Sequence, residues 1–196
     1  TYTPNEGMIT DTSINNLLSL KYKIQSLEWV DNVVTLLDIP LLDNSEAPLQ
    51  ERLENFKTLK DEDVNKDRGF KEIISSPVFR NFVISEDGKT SGIIVYLKKN
   101  KPLDDIENKS KVEIEIYKDQ IKKQNHKNII EIRDVIKSYE NIGKIHLGGI
   151  PMIADDMMTF IKSDIVVFGL GVLLFIIATL WYIFRKLIWI LVPISS

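Results

Sequence analysis

The 196-residue sequence has no cysteine, which excludes disulfides and thiolate metal centres and by itself says little about compartment. Its two histidines, His126 and His146, lie far apart and outside any HExxH pattern, so a histidine metal centre lacks a ligand set. No GxSxG, Walker-type loop or GxGxxG occurs, and neither Gly143 nor the Gly148-Gly149 pair fits one. Without a nucleophile, metal cluster or cofactor loop, no enzyme activity is expected, and catalytic, cofactor and metal residues are all expected to be none. A basic excess is missing as well. Residues 1–164 hold 23 basic against 28 acidic side chains, a net charge of −5, so nucleic acid is not an expected partner. Residues 1–10 have neither the basic nor the apolar region of a signal peptide. An exported domain would then need a membrane helix ahead of it, or have lost a leader. The length suits one domain with a real core.

What is present is a long apolar run. Residues 165–184 carry no charge, and about 20 helical residues at 1.5 Å each match a hydrocarbon core of about 30 Å. Apolar side chains cover the whole circumference, where a buried core helix would show a polar side. Gly169 and Gly171 allow close approach of a neighbouring helix, without the stricter GxxxG spacing. Trp181 and Tyr182 near the far end suit the headgroup layer, and Arg185 and Lys186 follow, which assigns that end to the cytoplasm. From Leu187 a second apolar run starts and reaches only Ser196, too short to span. The expected organisation is an extracytoplasmic domain over 1–163, a transmembrane helix over 164–184, a cytoplasmic turn at 185–186, and the truncated start of another membrane helix over 187–196. On this reading the sequence is a fragment of a polytopic protein; the other reading is a single-pass protein whose tail lies in the interface.

Ahead of the span, Ser13 is read as the cap of a helix with apolar positions Ile14, Leu17, Leu18, Ile24 and Leu27. Residues 33–37, VVTLL, form a β-rich run that Pro40 ends. Residues 46–73 look helical, charged and exposed. FVIS and GIIVYL flank an Asp87-Gly88 turn and predict a hairpin whose strands are covered on both faces. A polar connection follows over 98–105. Residues 111–121 fit strand or helix equally, since Val112, Ile114 and Ile116 alternate among Glu and Lys. Residues 128–140 predict a helix striped by Ile129, Ile132, Ile136 and Tyr139, and Ile145, His146 and Leu147 a last strand. The order is most of an α+β, ferredoxin-like βαββαβ fold with its first strand missing, expected just ahead of Thr1.

Three tracts, TYTPNEGMITDTSINNLLSLKYKIQSLEWVDNVVTLLDIPLL, SPVFRNFVISEDGKTSGIIVYL, and KIHLGGIPMIADDMMTFIKSDIVVFG with LWYIFRKLIWILVP, together resemble the resistance-nodulation-division (RND) superfamily of exporters. Within it the likeness is to the hydrophobe/amphiphile efflux and MMPL-type lipid transporter branch. The resemblance implies a first porter domain, membrane helix 2 and the start of helix 3 of a proton-driven exporter in a bacterial inner membrane, with 1–163 on the periplasmic side. It implies hydrophobic or amphiphilic substrates, lipids among them, with the membrane and the rest of the same transporter chain as partners; oligomerisation is compatible with it. Proton-relay residues in such proteins lie on later helices, so none is assigned here. A stiff helix from about Pro151, following Gly148-Gly149, would act as a lever. Asp155, Asp156 and Asp164 are read as N-terminal helix charge.

One further pattern is present. Asp61, Asp63, Asn65, Asp67, Gly69 and Glu72 occupy the ligand spacing of a calcium loop, but Lys66 stands where the sharp turn needs glycine. A charged surface helix is the favoured reading there. Asn108-Lys109-Ser110 is a formal glycosylation sequon, meaningful only in a eukaryotic source. The competing function is a membrane-tethered domain that binds a lipid or protein without transporting it.

Overall fold

The structure is a computed structural model that describes residues 1–42, 56–99 and 110–184. Two compact units are present, Thr1–Gly148 and Gly149–Ser196.

In the first unit, Tyr2–Pro4 forms strand β1, which pairs antiparallel with β4, Gly143–Ile145, in the register Tyr2 to Ile145. A strand thus lies at Tyr2–Pro4, where the sequence alone predicts none. Helix α1 spans Asp11–Gln25. Its cap is Thr10, whose Oγ1 accepts the Ser13 amide at 3.2 Å. Ser13 thus lies within the first turn and does not cap it; the hydroxyl three residues earlier reaches the unsatisfied amide. Strand β2, Val30–Thr35, leads into a 3-10 turn over Leu36–Asp38, which begins the chain reversal within the run read as β-rich. Helix α2, Lys66–Ser75, is shorter than the helix expected over 46–73: residues 56–65 form turns and a bridge of Lys57 to Leu41, and the Asn65 side chain, accepting the Arg68 amide, starts the helix only there. Leu59 and Val64 are buried in turns ahead of it, and 46–55 lie outside the described residues.

Strand β3, Ile93–Leu97, pairs antiparallel with β2, Val33 facing Val95. The Asp87-Gly88 turn forms, with the Gly88 amide on the Ser85 carbonyl at 2.9 Å and Ser85 bonded to Thr90; Gly88 has φ +69°, which glycine adopts without a Cβ penalty. The hairpin is shorter than expected, because residues 81–83 turn back on themselves, with Asn81 at φ 64° and its amide on the Ile84 carbonyl at 2.7 Å. The FVIS segment keeps the isolated bridges of Ile84 to Ser91 and to Arg80, and the Gly92 amide on the Val83 carbonyl at 2.7 Å. Nor is β3 covered on both faces: Tyr96 and Leu97 are exposed.

Helix α3 runs over Lys111–Ser138, so residues 111–121 are helix. Ser110 decides this locally through a capping box: its Oγ accepts the Glu113 amide and the Glu113 carboxylate accepts the Ser110 amide at 2.8 Å. Only the last third of α3 enters the core, through Ile129, Ile132 and Val135; Ile136 and Tyr139 flank it. A 3-10 turn, Glu140–Ile142, precedes β4, which sits two residues earlier than the strand expected at 145–147.

The core has two parts joined by α1. Ile14 and Leu17 pack with Tyr2, Leu36, Leu37, Ile73 and Val83, while Leu20 and Ile24 pack with Val30, Val33, Ile132 and Val135. Alternation along the helix of three- and four-residue steps lets one element serve both. The unit is α+β, with element order β1, α1, β2, α2, β3, α3, β4.

In the second unit the described residues form one helix, α4, over Ile150–Phe184. At 1.5 Å per residue it is about 52 Å long. The turn at 185–186 and the apolar run at 187–196 lie outside the described residues, as does most of the polar connection at 98–105.

Candidate functional site

Two features stand apart from ordinary packing, and the larger is α4. Its stretch Ile150–Tyr182 is long and apolar enough to cross a membrane, and none of its most apolar window is buried within the protein. Phe168, Phe175 and Tyr182 are each more than two-thirds exposed. An apolar surface of this length left open to water would oppose folding, whereas hydrocarbon accepts it. The polar atoms in the span meet the same demand. Thr179 donates its hydroxyl to the Phe175 carbonyl at 2.8 Å, so its hydrogen is bonded within the helix and does not face lipid unbonded.

The three aspartates ahead of the span do not form a helix-start cluster. The first turn of α4 contains no acidic residue, and dipole stabilisation fades beyond that turn. Asp155 is buried although Asp164 is exposed, and both Asp155 and Asp156 are engaged by partners.

The second feature is a buried ion network centred on Asp38. Lys21 lies on the apolar stripe of α1, between Leu17 and Ile24, and is buried. Its Nζ donates to Asp38 Oδ1 at 2.5 Å, and Lys60 donates to the same oxygen at 3.0 Å. The other oxygen, Oδ2, accepts the Thr35 amide at 2.8 Å and the Thr35 hydroxyl at 3.0 Å. Burial acts to raise the Asp38 pKa, but the hydrogen bonds from Lys21, Lys60 and Thr35 outweigh it and hold the carboxyl below its ordinary value. This network ties α1 to the end of β2. It binds the fold together through contacts within the chain.

The calcium-loop spacing does not become a calcium loop. Asp61 accepts from the Thr58 amide and hydroxyl, Asp63 pairs with Lys57, and Asn65 caps α2 through the Arg68 amide at 3.0 Å. Asp67, Gly69 and Glu72 lie on α2 itself, where helical geometry spreads them around the axis. Among the described residues no cluster of three metal-ligating side chains occurs. His126 is on α3 and His146 follows β4. Sequence reasoning passed over Lys21 and Asp38. The available signal was a lysine at an apolar-stripe position, together with the Thr35-x-x-Asp38 spacing of a capping box.

A family model described as the MMPL family matches residues 32–196, from the second strand of the folded unit through the whole apolar helix. The chain belongs to the MMPL family. Members are membrane transporters of the RND type, not enzymes, so this MMPL chain is a membrane protein and α4 is its candidate span. No curated protein and no solved structure matches the chain.

Proposed function

We propose that this MMPL chain is part of a proton-driven exporter of hydrophobic or amphiphilic compounds, lipids among them, and that residues 1–163 are its first porter domain. The observation that carries the reading is that one family match, over residues 32–196, takes in most of the α+β unit together with the apolar helix. This supports reading the folded domain and the span as parts of one transport architecture. The order of strands and long helices, β1, α1, β2, β3, α3, β4, with α2 inserted, supports a ferredoxin-like βαββαβ arrangement for the porter. In this reading 1–163 face the periplasm of a bacterial inner membrane, 164–184 cross it, and Arg185 and Lys186 stay in the cytoplasm. The porter moves as a rigid body when membrane helices elsewhere in the transporter rearrange, which is how alternating access operates in general.

The test is transport by the complete gene product in proteoliposomes carrying a fluorescent lysolipid, with an imposed pH gradient. The expected result is lysolipid movement that stops when an ionophore collapses the gradient. Binding of the lysolipid with no gradient-dependent movement would contradict the exporter reading and leave a tethered binding domain.

A further inference from the structure

Most of α3 lies outside the core, and its outward side carries an ordered pattern. The only large hydrophobic side chains of α3 that are exposed, among the described residues, are Val112 at 65%, Ile116 at 53% and Ile130 at 45%. They fall on one stripe with Asp119, Lys123 and His126, at alternating four- and three-residue steps, the spacing of a helix–helix seam. This stripe lies on the opposite side of α3 from the buried Ile132 and Val135. In its middle, Asp119 and Lys123 pair at 3.1 Å while their side chains stay 60% and 77% accessible.

The stripe is self-complementary in one direction only. Its residues are equally spaced about Ile121. If two copies of α3 cross antiparallel at that level, Val112 of each meets Ile130 of the other, Ile116 meets His126, and Asp119 meets Lys123 twice. Parallel pairing would instead set Asp119 on Asp119 and Lys123 on Lys123, which repels. A surface that matches itself under a two-fold rotation is what an isologous dimer requires.

We infer that α3 is a dimerisation helix through which two copies of this chain pair antiparallel by the stripe from Val112 to Ile130. The seam is about 27 Å long, and at a helix width of about 10 Å it covers about 300 Å² per copy. That is below the roughly 800 Å² per partner of a standard interface. The pair is therefore a weak, concentration-dependent one, favoured where copies are confined to one membrane.

The test uses the absence of cysteine from residues 1–196. Ser26, exposed at the end of α1, takes a single dye site as S26C in the full chain, reconstituted in vesicles with donor- and acceptor-labelled copies. Energy transfer above random proximity is expected for the otherwise native stripe. It should fall at least fivefold in D119K alone and in K123D alone. It should return when D119K and K123D chains are mixed, since one presents two cations and the other two anions. The mixture also controls for folding, because a misfolded variant cannot be rescued by its counterpart. Transfer at the random level for the native stripe, or a mixture no better than either variant alone, would overturn the dimer. A chain that transports as a monomer would remove this inference and leave the exporter reading intact.

Discussion

Replacing Asp38 with alanine should remove a carboxylate that accepts from Lys21, Lys60 and Thr35 at once. The side chains of Asp38 and Lys21 are only 18% and 10% accessible, so the substitution leaves an ammonium inside the stripe of α1 with no counter-charge. It also strips the Thr35 amide and hydroxyl of their acceptor. Breaking a buried pair on one side costs about 3–5 kcal/mol. Lys60 is the more exposed partner and adds little. Partial access of water to Asp38 reduces the total, and a loss of about 2–4 kcal/mol is expected. The control is K21M/D38L, which removes both charges and should cost less than D38A alone, because no unpaired charge remains. Trp29 can report the transition: it is one of three tryptophans, and its Nε1 donates to Glu131 at 2.7 Å beside the second core cluster. Urea unfolding of the whole chain in detergent, with Trp181 and Trp189 replaced by phenylalanine, isolates that signal. A D38A chain within about 0.5 kcal/mol of the parent, the range of an ordinary surface change, would refute the buried-network account.

Further outcomes follow from the same geometry. Because the folded-state pKa of Asp38 is depressed, the unfolded chain binds the proton more readily in acid. Its contribution is then complete above the ordinary carboxylate pKa near about 4 and is lost as pH falls through the depressed value; stability measured against pH should show a shallower acid loss in D38N. Gly143→Ala would place a Cβ 2.4 Å from the Thr3 carbonyl oxygen and 2.9 Å from Pro4 Cα. Backbone cannot yield as a side-chain tip can, so a thermal melt should show a loss of about 1–3 kcal/mol; an unchanged melt would mean β1 does not pair there. Ser110→Ala removes one half of the α3 capping box and should cost about 1 kcal/mol, visible as faster amide exchange in the first turn of α3. Leu173→Lys should cost about 2.5–3.5 kcal/mol of membrane insertion, read as the fraction resisting alkaline extraction.

Legibility in the sequence followed how local each cause was. The long apolar helix α4 was legible because every residue from 165 to 184 is uncharged, and length and polarity are what make a helix a candidate span. The α1 stripe was legible from Ile14, Leu17 and Ile24, and the Asp87-Gly88 turn from its own dipeptide. Strand β1 was not, since three residues ending in Pro4 carry no period, and their pairing with β4 is settled by chain topology. The helical start of α3 was open because Val112, Ile114 and Ile116 alternate as a strand does; the Ser110 and Glu113 capping box resolves it. The FVIS strand was over-read because residues 81–83 form a turn, with Asn81 at φ 64° and its amide on the Ile84 carbonyl, and an apolar run does not announce such a reversal. The Asp38 network hid for a similar reason: Lys21, Asp38 and Lys60 meet only after the chain has folded.

The central claim is that this MMPL chain crosses the membrane at α4 with its folded unit outside the cytoplasm. Single cysteines at Ser26 and at Lys186, one in each chain, put it to a direct measurement with a membrane-impermeant maleimide on intact spheroplasts. The account predicts that S26C labels at once and that K186C labels only after the membrane is opened. Labelling of K186C in intact spheroplasts with S26C protected would contradict it.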